Sequence, residues 1–367
     1  MLKKIFLFVL IILFAQHTQA ATKYDWSPEL RIGLLSGVNK VSLKVSARCF
    51  LLDSKGKKLG IIPANEEFFV EFAKLKEDAI EIRPEKTLLK DLRTIINGKK
   101  YFGGVRVNKS KTSLAVINIV PIEEYLRGVV SKEMSPSFPQ EALKAQTVAA
   151  RSFAMKNRKR HDKEGFDLCD STHCQVYIGF ADYESTDSAV SGTRGEVLMF
   201  KNKIADTNFH TDSGGMTESV GEVWGTHMPY LTAVKEILEL GEPWIVKVDM
   251  KNFTSRLGEN FGDVKSIKLS KMSIGKGSGD RSLSGRVKFV LINGKKFTGA
   301  DMRRKYSLPS TLFDMKLEGN TIIFTGYGRG HGVGMSQVGA KSYAQNGWSY
   351  KKILEHYYRG AELKKVY

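Results

Sequence analysis

Among the residues able to do acid–base chemistry, Glu133 has the most telling position. Ile122, Tyr125, Leu126, Val129 and Val130 form an apolar stripe at helical spacing, and Glu133 follows eleven positions after Ile122. At about 100° per residue, a helix returns it to the same face. A carboxyl group that extends an apolar face has its charged form disfavoured and its pKa raised, as a general acid at neutral pH requires. The same spacing also suits a glutamate that ends a helix and points to water.

Cys169 and Cys174, with His161 and His173 nearby, form a second group. Two thiolates and an imidazole suit zinc, which they bind tetrahedrally, and a fourth position would go to water or another ligand. A Cys169–Cys174 disulfide is the competing reading, natural in an oxidising compartment. Cys49 reads as a buried core thiol. Ser213 is followed by two glycines but lacks the G-x-S-x-G elbow of a serine nucleophile. No H-E-x-x-H set marks a zinc hydrolase.

The elements that must position these groups can be read from periodicity and punctuation. Residues 24 to about 112 are mostly strand, with alternation in Leu30–Leu35 and Val41–Val45 and turns at Gly37, Gly56, Gly60 and Gly98. Tyr101–Val105 and Ser113–Val120 read as further strands. The helix carrying Glu133 starts after Pro121 and is broken by Ser135-Pro-Ser-Phe-Pro139. A second helix spans about Gln140 to Lys156, with Ala142, Ala145, Ala149 and Ala150 allowing a close neighbour. Short strands and Gly-rich turns fill 185–340, where Ser270–Ser284 reads as a solvated loop. Two helices close the chain, one ending near Gly347 and one, Tyr350–Tyr358, ending at Gly360.

The 367 residues suffice for two domains. Lys3 and Lys4, an apolar run Ile5–Phe14 and Thr18-Gln-Ala20 read as a secretory signal peptide over 1–20. The apolar run is short against the roughly 20 residues of a membrane span. The formal net charge is +18, and such charge on an exported protein suits an anionic surface, a cell-wall polymer or lipid headgroups, or simply a well-solvated exterior. Nucleic acid is the other usual partner of such charge; export and the lack of any helix-turn-helix, finger or RNA-binding signature speak against it. Three cysteines are too few for a fold built on disulfides.

Five ordered segments then resemble the stage II sporulation protein D family. The first is Glu133-Met134 and Pro136, followed by Glu141-Ala-Leu-Lys-Ala-Gln-Thr-Val-Ala-Ala-Arg-Ser-Phe-Ala154. Ser135 stands before Pro136 where the family has proline directly, Thr147 replaces alanine, and Ser152-Phe153 replaces Thr-Tyr. The others are Cys174-Gln-Val-Tyr-Ile-Gly179, Ser213-Gly-Gly215 with Thr217-Glu218, Gly330-His-Gly-Val-Gly-Met-Ser-Gln-Val-Gly-Ala340, and Ile353-Leu-Glu-His-Tyr-Tyr-Arg-Gly360. Together they cover about 105–360, and the strands before 105 fit only loosely.

The resemblance implies an α+β protein: a β-rich N-terminal region, 21–112, followed by a mixed α/β catalytic domain, 113–367. It implies a peptidoglycan lytic transglycosylase with Glu133 as catalytic residue, acting on glycan strands stripped of stem peptides by an amidase. Gln146, Arg151, Ser213, Gly214, Gly215, His331, Ser336 and Gln337 are the expected cleft lining, with His331 touching substrate. It also implies zinc held by Cys169, Cys174 and His161, with His173 as the alternative. Such an enzyme acts in the periplasm or the extracytoplasmic wall space. The rival readings are a wall-binding activator of a partner amidase and a zinc-dependent wall amidase.

Overall fold

The computed structural model describes residues 26–237, 241–258 and 261–367, so the expected signal peptide lies outside the described residues. Ten strands come first: β1 (Glu29–Val38), β2 (Lys40–Val45), β3 (Cys49–Asp53), β4 (Lys58–Ile62), β5 (Glu67–Glu71), β6 (Ala79–Pro84), β7 (Arg93–Ile96), β8 (Lys99–Phe102), β9 (Gly104–Lys109) and β10 (Leu114–Pro121). Strands β5-β2-β7-β8 form a four-stranded sheet. A seven-stranded sheet runs β1-β10-β9-β6-β3-β4 and is completed beside β1 by β11 (Leu168–Cys169). Alternation directs burial: Leu30 and Ile32 of β1 and Val41, Leu43 and Val45 of β2 are fully buried between polar neighbours.

This sheet crosses the expected boundary at 112. Strand β10 pairs antiparallel with β1 on one side and β9 on the other, and β11 pairs parallel with β1. Strand pairing is non-local, so a turn at 110–113 looks like a boundary in sequence while the ladder continues through it.

Two helices follow, α1 (Ile122–Glu133) and α2 (Gln140–Lys156). The expected stripe on α1 is wholly buried. Pro136 favours extended backbone at Ser135 and so helps to end α1, and Pro139 precedes α2, where it has no helical hydrogen bond to break. Helix α2 joins two cores. Its Ala150, Phe153 and Ala154 pack with the sheets, while Ala142, Leu143, Ala145 and Val148 pack with residues from the C-terminal helices. Further along come α3 (Glu184–Gly192), β12 (Glu196–Phe200), β13 (Lys203–Ile204), β14 (Phe209–His210) and α4 (Val220–Trp224).

Residues 244–326 form a lobe with its own core of Met250, Phe253, Val290, Met302, Phe313 and Phe324. It contains β15 (Trp244–Asp249), α5 (Met250–Ser255), β16 (Ile267–Lys268), β17 (Phe289–Ile292), β18 (Lys295–Thr298), α6 (Gly299–Tyr306), β19 (Phe313–Glu318) and β20 (Thr321–Gly326). The end of the stretch expected as a solvated loop is buried here: Arg281, Ser282 and Ser284 face inward. The Arg281 guanidinium donates to the carbonyls of Ser270, Gly285 and Phe313, which offsets the cost of burying it. The chain closes with β21 (Met335–Ser336), α7 (Gln337–Gln345), α8 (Tyr350–Tyr357) and β22 (Glu362–Lys365). The fold is α+β. Among the described residues no helix is long and apolar enough to cross a membrane.

Candidate active site

Glu133 is the last residue of α1 and half-buried. Its Oε1 accepts the Val176 N–H at 3.0 Å, and its Oε2 accepts from Gln337 Nε2 at 3.4 Å. Burial pushes its pKa above the ordinary glutamate value, against the opposing effects of Val176, Gln337 and Lys132. Among the described residues no carboxylate is a cause of this shift.

The segment that supplies Val176 is tied to both helices. Gln175 accepts from the Tyr125 hydroxyl on α1 and donates to the Ala150 carbonyl on α2. Tyr177 donates to Asn118, whose amide holds the carbonyls of Phe102 and Gly104. Gly128 makes the close approach possible: a Cβ there would lie 2.3 Å from the Gly179 carbonyl oxygen. The packing of 174–179 on α1 therefore aims one backbone N–H at the carboxyl group.

The same segment begins in a metal-competent cluster. One ligand atom each from His161, Cys169, His173 and Cys174 lie within 4.8 Å of one another. Cys174 Sγ is 3.5 Å from His161 Nε2 and 3.7 Å from His173 Nδ1, and Cys169 Sγ is 3.7 Å from His173 Nδ1. Tetrahedral zinc bond lengths imply ligand–ligand separations of about 3.3–3.8 Å, so these three distances fit such an ion. His173 turns toward the sulfurs, so both histidines that the sequence offered as alternatives lie within reach of one ion. The two sulfurs are unbridged, against the competing disulfide reading. Cys49 is buried and remote in role, its thiol pushed up to about 11 by burial.

The expected cleft residues divide. Gln337, at the start of α7, reaches Glu133. His331 lies on the wall of a cavity of about 880 Å³ with Trp224, Arg286 and Arg303. Gln146 is fully buried, with neither amide atom hydrogen-bonded. Arg151 is a correction. Its guanidinium is fully buried, bonds Glu123 through two nitrogens at 3.1 and 2.7 Å, and takes the carbonyls of Val190 and Glu196. Every direction it could offer a sugar is occupied, so it clamps α2 to α1 and β12. Ser213 and Ser336 are also fully buried. Ser213 donates to Glu236, and Ser336 caps α7 through the Gly339 N–H. Gly214 adopts φ +70 and Gly215 φ +97, conformations that favour glycine.

Several contributors carried no sequence signal. Glu236, sealed among Ser213 and Tyr357, and Arg286, whose burial comes from the lobe folding back, are examples. Gly332 has φ +85, and a Cβ there would meet the Arg286 guanidinium at 2.6 Å. The glycine of this turn makes room for an arginine 46 positions upstream.

The geometry defines a half-buried glutamate beside a metal-competent cluster, on helices packed against a β-sheet. The family described as Stage II sporulation protein matches over residues 110–200, which include Glu133 and the cluster. The chain is 36% identical over 275 residues to an uncharacterised protein of Brachyspira hyodysenteriae, covering 73% of each. It is 34% identical over 281 residues to stage II sporulation protein D of Bacillus amyloliquefaciens, covering 71% of this chain and 79% of that one. It is 30% identical over 346 residues to the amidase enhancer of Bacillus subtilis, covering 78% of this chain but 47% of that longer protein. The chain belongs to the stage II sporulation protein D family.

Proposed function

We propose that this protein is an exported lytic transglycosylase of bacterial peptidoglycan, with Glu133 as its only acid and base. The observation that carries the reading is the half-buried carboxyl of Glu133, its pKa raised by burial and with no carboxylate among the described residues acting on it. Hydrolases that use two carboxyls hold them about 5–9.5 Å apart. A lone carboxyl suits an intramolecular reaction.

Protonated Glu133 gives its proton to the oxygen between muramic acid C1 and the next N-acetylglucosamine. The C1–O bond breaks and positive charge develops at C1. The ionised Glu133 then takes the proton of the C6 hydroxyl of the same muramic acid, and that oxygen closes on C1. The products are a free 4-hydroxyl on N-acetylglucosamine and a 1,6-anhydromuramic end. Water is not consumed, and Glu133 finishes protonated. The Val176 N–H stabilises the ionised form midway, and Gln337 orients the second oxygen.

His161, Cys169, His173 and Cys174 would hold zinc. An ion there would cross-link the segment 161–174 that leads directly into Val176. Four protein donors leave no open position of the kind a catalytic zinc needs, which weighs against the zinc amidase reading. The similarity to an amidase enhancer favours one other reading, a wall-binding activator of an amidase.

The test is mass spectrometry of products from intact and amidase-treated peptidoglycan. Anhydromuramic ends, absent with Glu133→Gln, support the transglycosylase. Reducing ends would mean hydrolysis, and binding without cleavage would leave the activator.

A further inference from the structure

The cavity of about 880 Å³ is lined by two guanidinium groups that make no ion pair with any described residue. Arg286 is 2% exposed and lines it. Its Nη2 donates to the Ser213 carbonyl at 2.8 Å, but Nε and Nη1 have no partner. Buried donors are rarely left unpaired, and a charged group left so is costly. Arg303, on α6 across the same cavity, spends only its Nε, on the Leu308 carbonyl, and makes no ion pair with any described residue. Burial lowers the Arg286 pKa to about 10; Arg303 adds to the shift, while Glu218, Asp212 and Glu236 act against it without pairing.

The neighbouring charges are already engaged. Lys288 faces Glu222 at 3.9 Å, and Arg304 pairs with Asp301. Glu218 accepts from Ser282, Ser284 and the Ser219 N–H and makes no ion pair with either arginine. The two guanidiniums are therefore the free ones, and their planar forks suit a carboxylate.

The rest of the wall suits a sugar. Trp224 is 48% exposed, and its ring centroid is 5.1 Å from that of His331. Burial, with Arg286 and Arg303, holds His331 down at about 4, so its ring is neutral. His331 Nδ1 accepts the Val333 N–H at 3.0 Å, and the ring also bonds the Phe209 backbone. An aromatic face, a neutral imidazole and two guanidiniums without an ion pair together fit an acidic sugar.

We propose that this cavity is a subsite for a carboxylate-bearing sugar, in which Arg286 and Arg303 hold the free lactyl carboxylate of a muramic acid residue stripped of its stem peptide. The inference rests on the peptidoglycan reading above. With a stem attached, that group is an uncharged amide. The cavity then gains nothing by receiving it, and preference for stripped glycan becomes a matter of charge rather than of groove width alone.

The test uses the full chain carrying Glu133→Gln, so that binding is read without cleavage. Calorimetry compares two tetrasaccharides of alternating N-acetylglucosamine and N-acetylmuramic acid, one with free lactyl acids and one with methylamides. The free acid is expected to bind about tenfold tighter or more. Arg303→Ala should erase that preference while leaving methylamide binding within about twofold. Arg286→Lys, which keeps the charge but loses the fork, should reduce it. Equal binding of acid and amide, or a preference that survives both variants, overturns the proposal. Glycerol phosphate binding tighter than the free acid, and lost with Arg303→Ala, would overturn the sugar-acid assignment in favour of a phosphate site. The failures separate. Acid preference without anhydro products from the unaltered protein sinks the reaction and keeps the subsite, and products without acid preference do the reverse.

Discussion

Burial raises the pKa values of Glu133 and Glu236, as it does that of Glu124, and the first two are held in opposite ways. Glu236 is 4% exposed and accepts the hydroxyls of Ser213 and Tyr357. Glu133 is only half-buried, with one good N–H bond and one long amide bond. The first has nearly all its hydrogen-bonding capacity used inside the protein. The second keeps capacity and an open side. A raised pKa alone does not mark a working acid, since burial lifts Glu124, Glu133 and Glu236 alike.

The sharpest way to break this comparison is to neutralise each in turn. Glu133→Gln should lower the rate of anhydromuramic product formation by about 10²–10⁴-fold, while the melting temperature stays close to the parent. If product forms at parental rate, Glu133 is not the acid. The next largest effect concerns the cluster beside it. Cys174→Ala should abolish bound zinc, measured by elemental mass spectrometry, and cost about 3 kcal/mol or more in stability. Cys49→Ala should leave the zinc in place. Zinc retained in Cys174→Ala would remove the cluster from the account.

Glu236→Gln should show the reverse of Glu133→Gln. It places an amide where two hydroxyls donate, and should destabilise by about 1–3 kcal/mol in denaturant melts with cleavage per folded molecule preserved. Lost activity at unchanged stability would give Glu236 a chemical role. The smallest expected effect is on pH. Gln337 holds the Glu133 pKa down, so Gln337→Ala should raise it further. A general acid works protonated, so activity falls as pH rises through its pKa. The alkaline limb of kcat/KM should therefore move up by roughly half a unit. A limb that moves down would mean that Gln337 acts otherwise.

What the sequence disclosed follows the range of the interactions. Helix α1, its buried stripe and its proline stop are local and periodic, and α2 appears over the expected Gln140–Lys156. The cysteines were visible by type, but the turn that brings His173 to both sulfurs was not. Arg151 looked able to serve a cleft because its partner Glu123 lies 28 residues away on another helix. Pairing across residue 112 and the burial of Arg286 depend on chain segments meeting from far apart, and neither leaves a periodic trace.

The lobe has a consequence of its own. Trp244 and Gly326, where it leaves and rejoins the rest of the chain, are paired neighbours on β15 and β20. Its two attachment points stand side by side, the arrangement of a cassette in a socket. Such a cassette can be exchanged, lengthened or shortened without moving the sheet beneath α1. It is seated by Arg286, lodged under Gly332, and by Ser282 and Ser284, which donate to Glu218. On the proposed reading, a shortened cassette would spare Glu133 and remove both arginines, so that cleavage and selectivity could diversify independently within one scaffold.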